Sequence, residues 1–160
     1  MKVNKKYNCL FIGNAIVDVV SEVSFDFLEK QKIEVGSWRP VSINEINELQ
    51  EKMSNTIIAS GGSAANSAVG FSLLGGRSAF IGRVKSDDFG SLYINDLKEA
   101  NVDFISNPVD TGNETGRCLV YVSPDAQRSM RTYLGAASNL SQENLDINAF
   151  ENSEIVYMEG

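Results

Sequence analysis

Apolar positions in this chain alternate between two periods. Asn8-Cys9-Leu10-Phe11-Ile12 is a nearly continuous apolar run ending at Gly13, the pattern of a strand buried on both faces. Asn14 to Val20 continues largely apolar but carries Asp18. Ser42-Ile43-Asn44-Glu45 has the form of a capping box, and Ile43, Ile46, Leu49 and Met53 follow at helical spacing. Val69-Gly70-Phe71-Ser72-Leu73-Leu74 reads as a buried helix stopped by Gly75-Gly76, and Ser78 to Ile81 starts another strand. Asp88 to Ala100 reads as an amphipathic helix, with Leu92 and Leu97 inward and Asp88 as its N-cap; Val102 to Ile105 is a short strand. Strand alternating with helix predicts parallel pairing in an α/β sheet.

Two regions break that rhythm. Ser21 to Val41 holds a helix-like Phe25-Asp26-Phe27-Leu28 and then a strand around Trp38. Further on, Cys118 to Val122 and Ser129 to Leu134 flank the turn-rich Ser123-Pro124-Asp125-Ala126-Gln127, predicting a β-hairpin inserted into the α/β chain. Inserted strands of this kind form a small sheet over a site, a lid. Glu154 to Met158 reads as one more buried strand, and the sequence ends two residues later at Gly160. A central strand with no following helix leaves apolar surface exposed, so the expectation is the front part of a longer protein.

Composition narrows the classes. The 160 residues fit one domain, and 42% hydrophobic content supports an ordinary core. Fourteen basic against twenty-one acidic residues leave a net charge of −7 with no basic cluster, which disfavours nucleic acid and anionic membranes as partners. No apolar stretch approaches the ~20 residues of a membrane span. Cys9 and Cys118 both lie in apolar runs, fitting two buried thiols in a reducing cytoplasm. The absence of histidine removes Ser-His-Asp chemistry and most zinc schemes from these residues, and no metal ligands are assigned.

The candidate chemistry centres on Ser60-Gly61-Gly62-Ser63-Ala64-Ala65-Asn66. Two glycines let a ligand approach the backbone, and the helix that follows presents unpaired N–H groups to an oxygen-rich molecule. Asn66, one turn in, both donates and accepts. The plain alternative is a tight strand-to-helix turn. Asp18, at the end of the first apolar run with Asn14, is suited to two vicinal hydroxyls; the alternative is a turn former, but a charge flanked by Ile16, Val17, Val19 and Val20 is costly without a function. Arg128, just after the hairpin turn, is placed to swing over a substrate, though a solvated strand arginine explains it as well. For Trp38, Phe25 and Phe27, core packing is the default over a wall for a ring.

These residues resemble the PfkB/ribokinase-like family of sugar and nucleoside kinases, and are most similar to its adenosine kinase branch. The likeness rests on Gly13-Asn14-Ala15-Ile16-Val17-Asp18, on Gly61-Gly62-Ser63-Ala64-Ala65-Asn66-Ser67, and on Gly82-Arg83-Val84 leading to Asp87-Asp88-Phe89-Gly90. Asp26 to Lys30 and Gln127-Arg128-Ser129-Met130 with Leu134-Gly135-Ala136-Ala137 resemble adenosine kinases in particular. Lys85-Ser86 departs from the Gly-Asp common at that point. The resemblance implies a three-layer α/β/α, Rossmann-like fold with lid segments at about 16–41 and 116–138, and phosphoryl transfer from ATP with Mg²⁺ to a ribose hydroxyl, adenosine to AMP. Asn14, Asp18, Gly61, Gly62, Ser63 and Asn66 would then bind the sugar, Leu134 and Ala136 would lie near the base, and Arg128 would be the lid arginine. The general-base aspartate and the ATP site would fall beyond residue 160, leaving these residues inactive by themselves. Other acceptors within the family (ribose, fructose or a sugar phosphate), a non-catalytic sugar or nucleoside binder, and a homodimer through the lid strands are the alternatives.

Overall fold

A computed structural model describes residues 5–160. In chain order its elements are β1 (Tyr7–Ile12), β2 (Ile16–Glu22), α1 (Phe25–Lys30), β3 (Trp38–Pro40), α2 (Ile43–Gln50), β4 (Ile57–Gly61), α3 (Ser63–Leu73), β5 (Ser78–Ile81), α4 (Asp88–Glu99), β6 (Val102–Phe104), β7 (Gly116–Val122), β8 (Arg128–Tyr133), α5 (Ile147–Glu151) and β9 (Ser153–Met158). Two 3-10 turns, Gly135–Asn139 and Gln142–Asn144, follow β8.

The apolar runs at β1 and β5 pair in parallel, Cys9 opposite Ser78 and Ile12 opposite Ile81. With β6 and β9 they form a four-stranded parallel sheet in the order β6-β5-β1-β9. Helices α3 and α4 cover one face through Ala64, Ala65, Ala68, Tyr93 and Leu97 on Phe11 and Phe80. Helix α5 covers the other through Ala149 and Phe150 beside Leu10, Ile12 and Ile81. The layers are therefore α/β/α, as the alternation predicts.

The inserted segments build a second, mixed sheet in the order β3-β8-β7-β2-β4. Here β7 and β8 form the expected antiparallel hairpin, while β2 runs parallel to β7 and antiparallel to β4. Val19, Leu119 and Tyr121 on one face pack under α1 and α2 against Leu28, Ile33, Ile46 and Leu49. Truncating a side chain such as Ile46, which is fully buried, costs about 2–5 kcal/mol.

Several expectations change in detail. Strand β4, outside both inserted segments, joins the second sheet, so that sheet reaches beyond residues 16–41 and 116–138. The N-cap of α4 is Asp87, whose carboxylate accepts the Gly90 N–H at 2.8 Å; Asp88 is already helical and exposed. Ser42 caps α2, but Glu45 pairs with Arg39 instead of completing the box. In α3 only the alanine stripe is fully buried, because the apolar residues surround the helix and one side meets the sheet; Leu73 and Leu74 are exposed. Strand β9 takes its predicted parallel place, yet it is an edge with β1 as its one strand neighbour, so Ile155 to Met158 are exposed. Phe25 and Trp38 are exposed too, since α1 turns Leu28 inward and β3 is a three-residue edge.

Candidate functional site

Side chains alternate along β2. Val17 and Val19 face inward, so Ile16, Asp18 and Val20 share the other face of the second sheet. On that face Asp18 stands opposite Cys118 of β7 and Ala59 of β4. Around it Ile16, Val20, Cys118, Val120, Met130 and Ala137 form a small apolar cluster. Asp18 makes no hydrogen bond to another described residue, so both carboxylate oxygens are uncommitted acceptors. Burial raises its pKa from the ordinary carboxylate value, and the positive charge of Arg128 opposes that shift. Arg128 sits at the hairpin end opposite Val122, four residues or roughly 13 Å along the sheet from the Asp18 row. The two form no ion pair within 4 Å.

A second group of atoms closes on Asp18 from β4 and α3. A Cβ on Gly61 would collide with the Asp18 carboxyl group, so only glycine leaves the carboxylate its position. At Gly62 the backbone has φ +89°, and a Cβ would strike the Asn14 carbonyl oxygen. From there α3 begins: Gly62 O accepts the Asn66 N–H at 2.9 Å, and the N–H groups of Ser63, Ala64 and Ala65 have no intrahelical acceptor. Asn14, Asp18, Gly61 and Gly62 thus converge. Ser63 and Asn66 lie on the exposed side of the first turn of α3. The Glu159 carboxyl is held below its usual range by the Tyr157 and Ser63 hydroxyls. Leu134, on the surface, and Ala136, buried, belong to the turn after β8, and Arg128 is exposed at the hairpin.

Three supporting residues, Tyr93, Asp96 and Arg117, are not legible in the sequence, and a fourth, Asp87, is legible only as part of the family-like run. Tyr93 donates its hydroxyl to Gly61 O at 3.3 Å, and Asp96 accepts the Ser60 N–H at 2.7 Å. Both come from α4, three residues apart on one side of the helix. Asp87, besides capping α4, accepts the Thr115 N–H at 3.0 Å and the Thr115 hydroxyl at 2.6 Å, just before β7. Arg117, 5% exposed, reaches Gln50 at 2.7 Å, Asn47 at 2.8 Å and Glu114 at 3.0 Å while its guanidinium lies over Phe89. Among the described residues no three His, Cys, Asp or Glu side chains converge as a metal site. No helix among them is long and apolar enough to cross a membrane.

A parallel α/β/α core with an attached mixed sheet, meeting at a glycine-led helix start, defines a ribokinase-like architecture. The chain belongs to the pfkB family of carbohydrate kinases, whose pattern matches residues 17–160. It superposes on the adenosine kinase of Sinorhizobium meliloti with TM-score 0.88 at 37% identity, over 96% of this chain and 47% of that one. A Rhizobium etli protein described as a probable sugar kinase gives TM-score 0.89 at 31% identity, again over 96% and 47%. The fructokinase of Escherichia coli is 31% identical over 113 residues, 71% of this chain and 37% of that enzyme. The chain therefore spans less than half the length of these relatives.

Proposed function

We propose that this chain supplies the acceptor-binding half of an ATP-dependent kinase whose acceptor is the ribose of a nucleoside, adenosine in the first instance. One observation carries the reading: among the described residues Asp18 is an unpaired carboxylate, set in an apolar face at the Gly61–Gly62 corner. Two vicinal hydroxyls satisfy its oxygens, and charge-assisted bonds of this kind are the strong ones. Val20 and Met130, both part-exposed beside the buried Val120, continue the same face with apolar surface suited to a base, which a free sugar would leave uncovered.

On this reading the ribose lies against Asp18, Asn14 and Asn66, with its primary hydroxyl toward the start of α3. Donors there and the positive helix end favour the oxygens of the sugar. Arg128 closes from the hairpin to neutralise phosphate. Binding of ATP with its Mg²⁺ and deprotonation of the hydroxyl fall to the portion of the family fold that these residues do not span, so the 160 residues alone do not turn over.

Calorimetric titration of the chain with adenosine, ribose and fructose tests the acceptor. Adenosine is expected to bind at least about tenfold tighter than either sugar, with Asp18→Asn weakening adenosine and ribose alike. The sugar-kinase reading, supported by the E. coli fructokinase likeness, requires fructose to bind tightest. Transfer of labelled phosphate from ATP, assayed in a polypeptide extended to full family length, is expected for adenosine; no transfer to any of the three acceptors would overturn the kinase reading.

A further inference from the structure

Helix α4 supplies none of the residues proposed to bind the acceptor, yet it grips the strand that shapes the corner. At the carboxyl end of β4 the Ser60 N–H is held by the Asp96 carboxylate at 2.7 Å, and the next residue's carbonyl, Gly61 O, by the Tyr93 hydroxyl at 3.3 Å. Those two groups belong to the residues on either side of one peptide bond, so the helix fixes both its position and its tilt. On the far side of that segment lies Asp18, in contact with the position a Gly61 Cβ would occupy. Antiparallel pairing of Ile16 with Gly61 and Val17 with Ser60 ties the same segment to β2.

The chemistry of the anchors exceeds what packing asks of them. Tyr93 is fully buried among Phe80, Phe104 and Leu97, where a phenylalanine would fill the same space. Asp96 brings a carboxylate to a partly buried backbone donor beside a sheet edge, where a neutral acceptor or water would serve. A glycine pair has the least backbone stiffness of any dipeptide, and a charged acceptor on one side with a phenol on the other removes that freedom where the Asp18 oxygens need it removed.

We propose that Asp96, with Tyr93, is a positioning residue for acceptor binding: it anchors the Ser60–Gly61 segment so that the Asp18 carboxylate is held dry and correctly aimed. The inference rests on Asp18 being the acceptor's carboxylate. It adds a determinant that lies outside the ligand's reach.

The groups that bear on Asp18 come from three elements, Arg128 on β8, Tyr93 on α4 and Cys118 on β7, and Asp96 is not among the charges that shift it. The test compares wild type with Asp96→Ala, Asp96→Asn and Tyr93→Phe, following the Asp18 carboxyl carbon by NMR across pH and adenosine affinity by calorimetry. Asp96→Ala is expected to let water into the corner, moving the Asp18 titration down toward an ordinary aspartate and weakening adenosine about tenfold, the scale of one hydrogen bond to a charged group. Asp96→Asn keeps a weaker, neutral acceptor on the Ser60 N–H, so it is expected to recover part of both. Tyr93→Phe, which preserves the packing, shifts the Asp18 titration in the same direction by less. A wild-type Asp18 titration in both Asp96→Ala and Tyr93→Phe overturns the proposal, whatever happens to thermal stability. Equal shifts in Asp96→Ala and Asp96→Asn overturn it as well, because they make charge and not anchoring the cause. Absence of adenosine binding in wild type counts against the nucleoside reading alone; the titration arm still decides the role of Asp96.

Discussion

The Asp18 carboxyl group occupies the space a side chain at residue 61 would need: its carbon and both oxygens lie within 2.8 Å of where a Cβ on Gly61 would stand. Gly61→Ala therefore acts through Asp18. Alone, the alanine is expected to displace the carboxylate, to cost about 1–3 kcal/mol of stability as overpacking, and to weaken nucleoside binding. In an Asp18→Ala background the same substitution should cost far less. A double-mutant cycle read by thermal unfolding and calorimetry is expected to give a coupling of about 0.5–3 kcal/mol, and additive effects would contradict the contact.

Asp18 also costs the fold something. Burial raises its pKa in the folded state above the unfolded value, so the charged form is disfavoured by folding. The sign follows: the penalty is fully present at neutral pH and disappears as pH falls through the raised value toward the ordinary one. Asp18→Asn is expected to stabilise the protein at neutral pH, with the gain shrinking in acid, while it weakens acceptor binding. Chemical denaturation across pH 4 to 7 checks it, on the order of the ordinary carboxylate range.

Asp87 and Asp88 are adjacent acids with unequal duties. Asp87→Ala removes an N-cap and both bonds to Thr115, so a loss of about 2 kcal/mol or more is expected. Asp88→Ala, at an exposed first-turn position, is expected to change stability by less than about 0.5 kcal/mol. Comparable losses in urea unfolding would reassign the cap.

Arg117 holds three acceptors with one planar fork, in a site whose burial makes the charge costly and lowers its pKa. Lysine keeps the charge but reaches one acceptor at a time. Arg117→Lys is expected to lose about 2 kcal/mol and to be no more stable than Arg117→Met. A lysine variant close to wild type in thermal unfolding would show that charge alone suffices.

The parallel core was legible because β1 and β5 are short apolar runs closed by glycine, and a run buried on both faces has few alternatives. The hairpin was legible from its turn residues. Strand β4 was not, since Thr56-Ile57-Ile58-Ala59 lies on an exposed edge whose partners are set by β2, forty residues away in sequence. The exposure of Leu73, Leu74 and β9 was equally hidden: hydrophobicity records what a residue favours, and only topology records which neighbour is present. In the site, Asp18 and Gly61–Gly62 stood out because a charge among valines and a glycine pair before a helix each violate a local preference. Asp96, Tyr93 and Thr115 violate none. Their importance lies in contacts across 28 to 36 residues, which no window along the chain contains.

The second sheet divides its labour by face. Leu28, Ile46, Leu49 and Tyr121 carry the cohesion on the helix side, whereas Val20, Val120 and Met130 belong to a satellite patch on the other. Evolution can therefore redraw that face by exchanging a few medium-sized residues while the helix-covered half stays intact. Drift in preference among kinases of one scaffold becomes thermodynamically cheap, and the scaffold's shape is a poor guide to the molecule each descendant has come to favour.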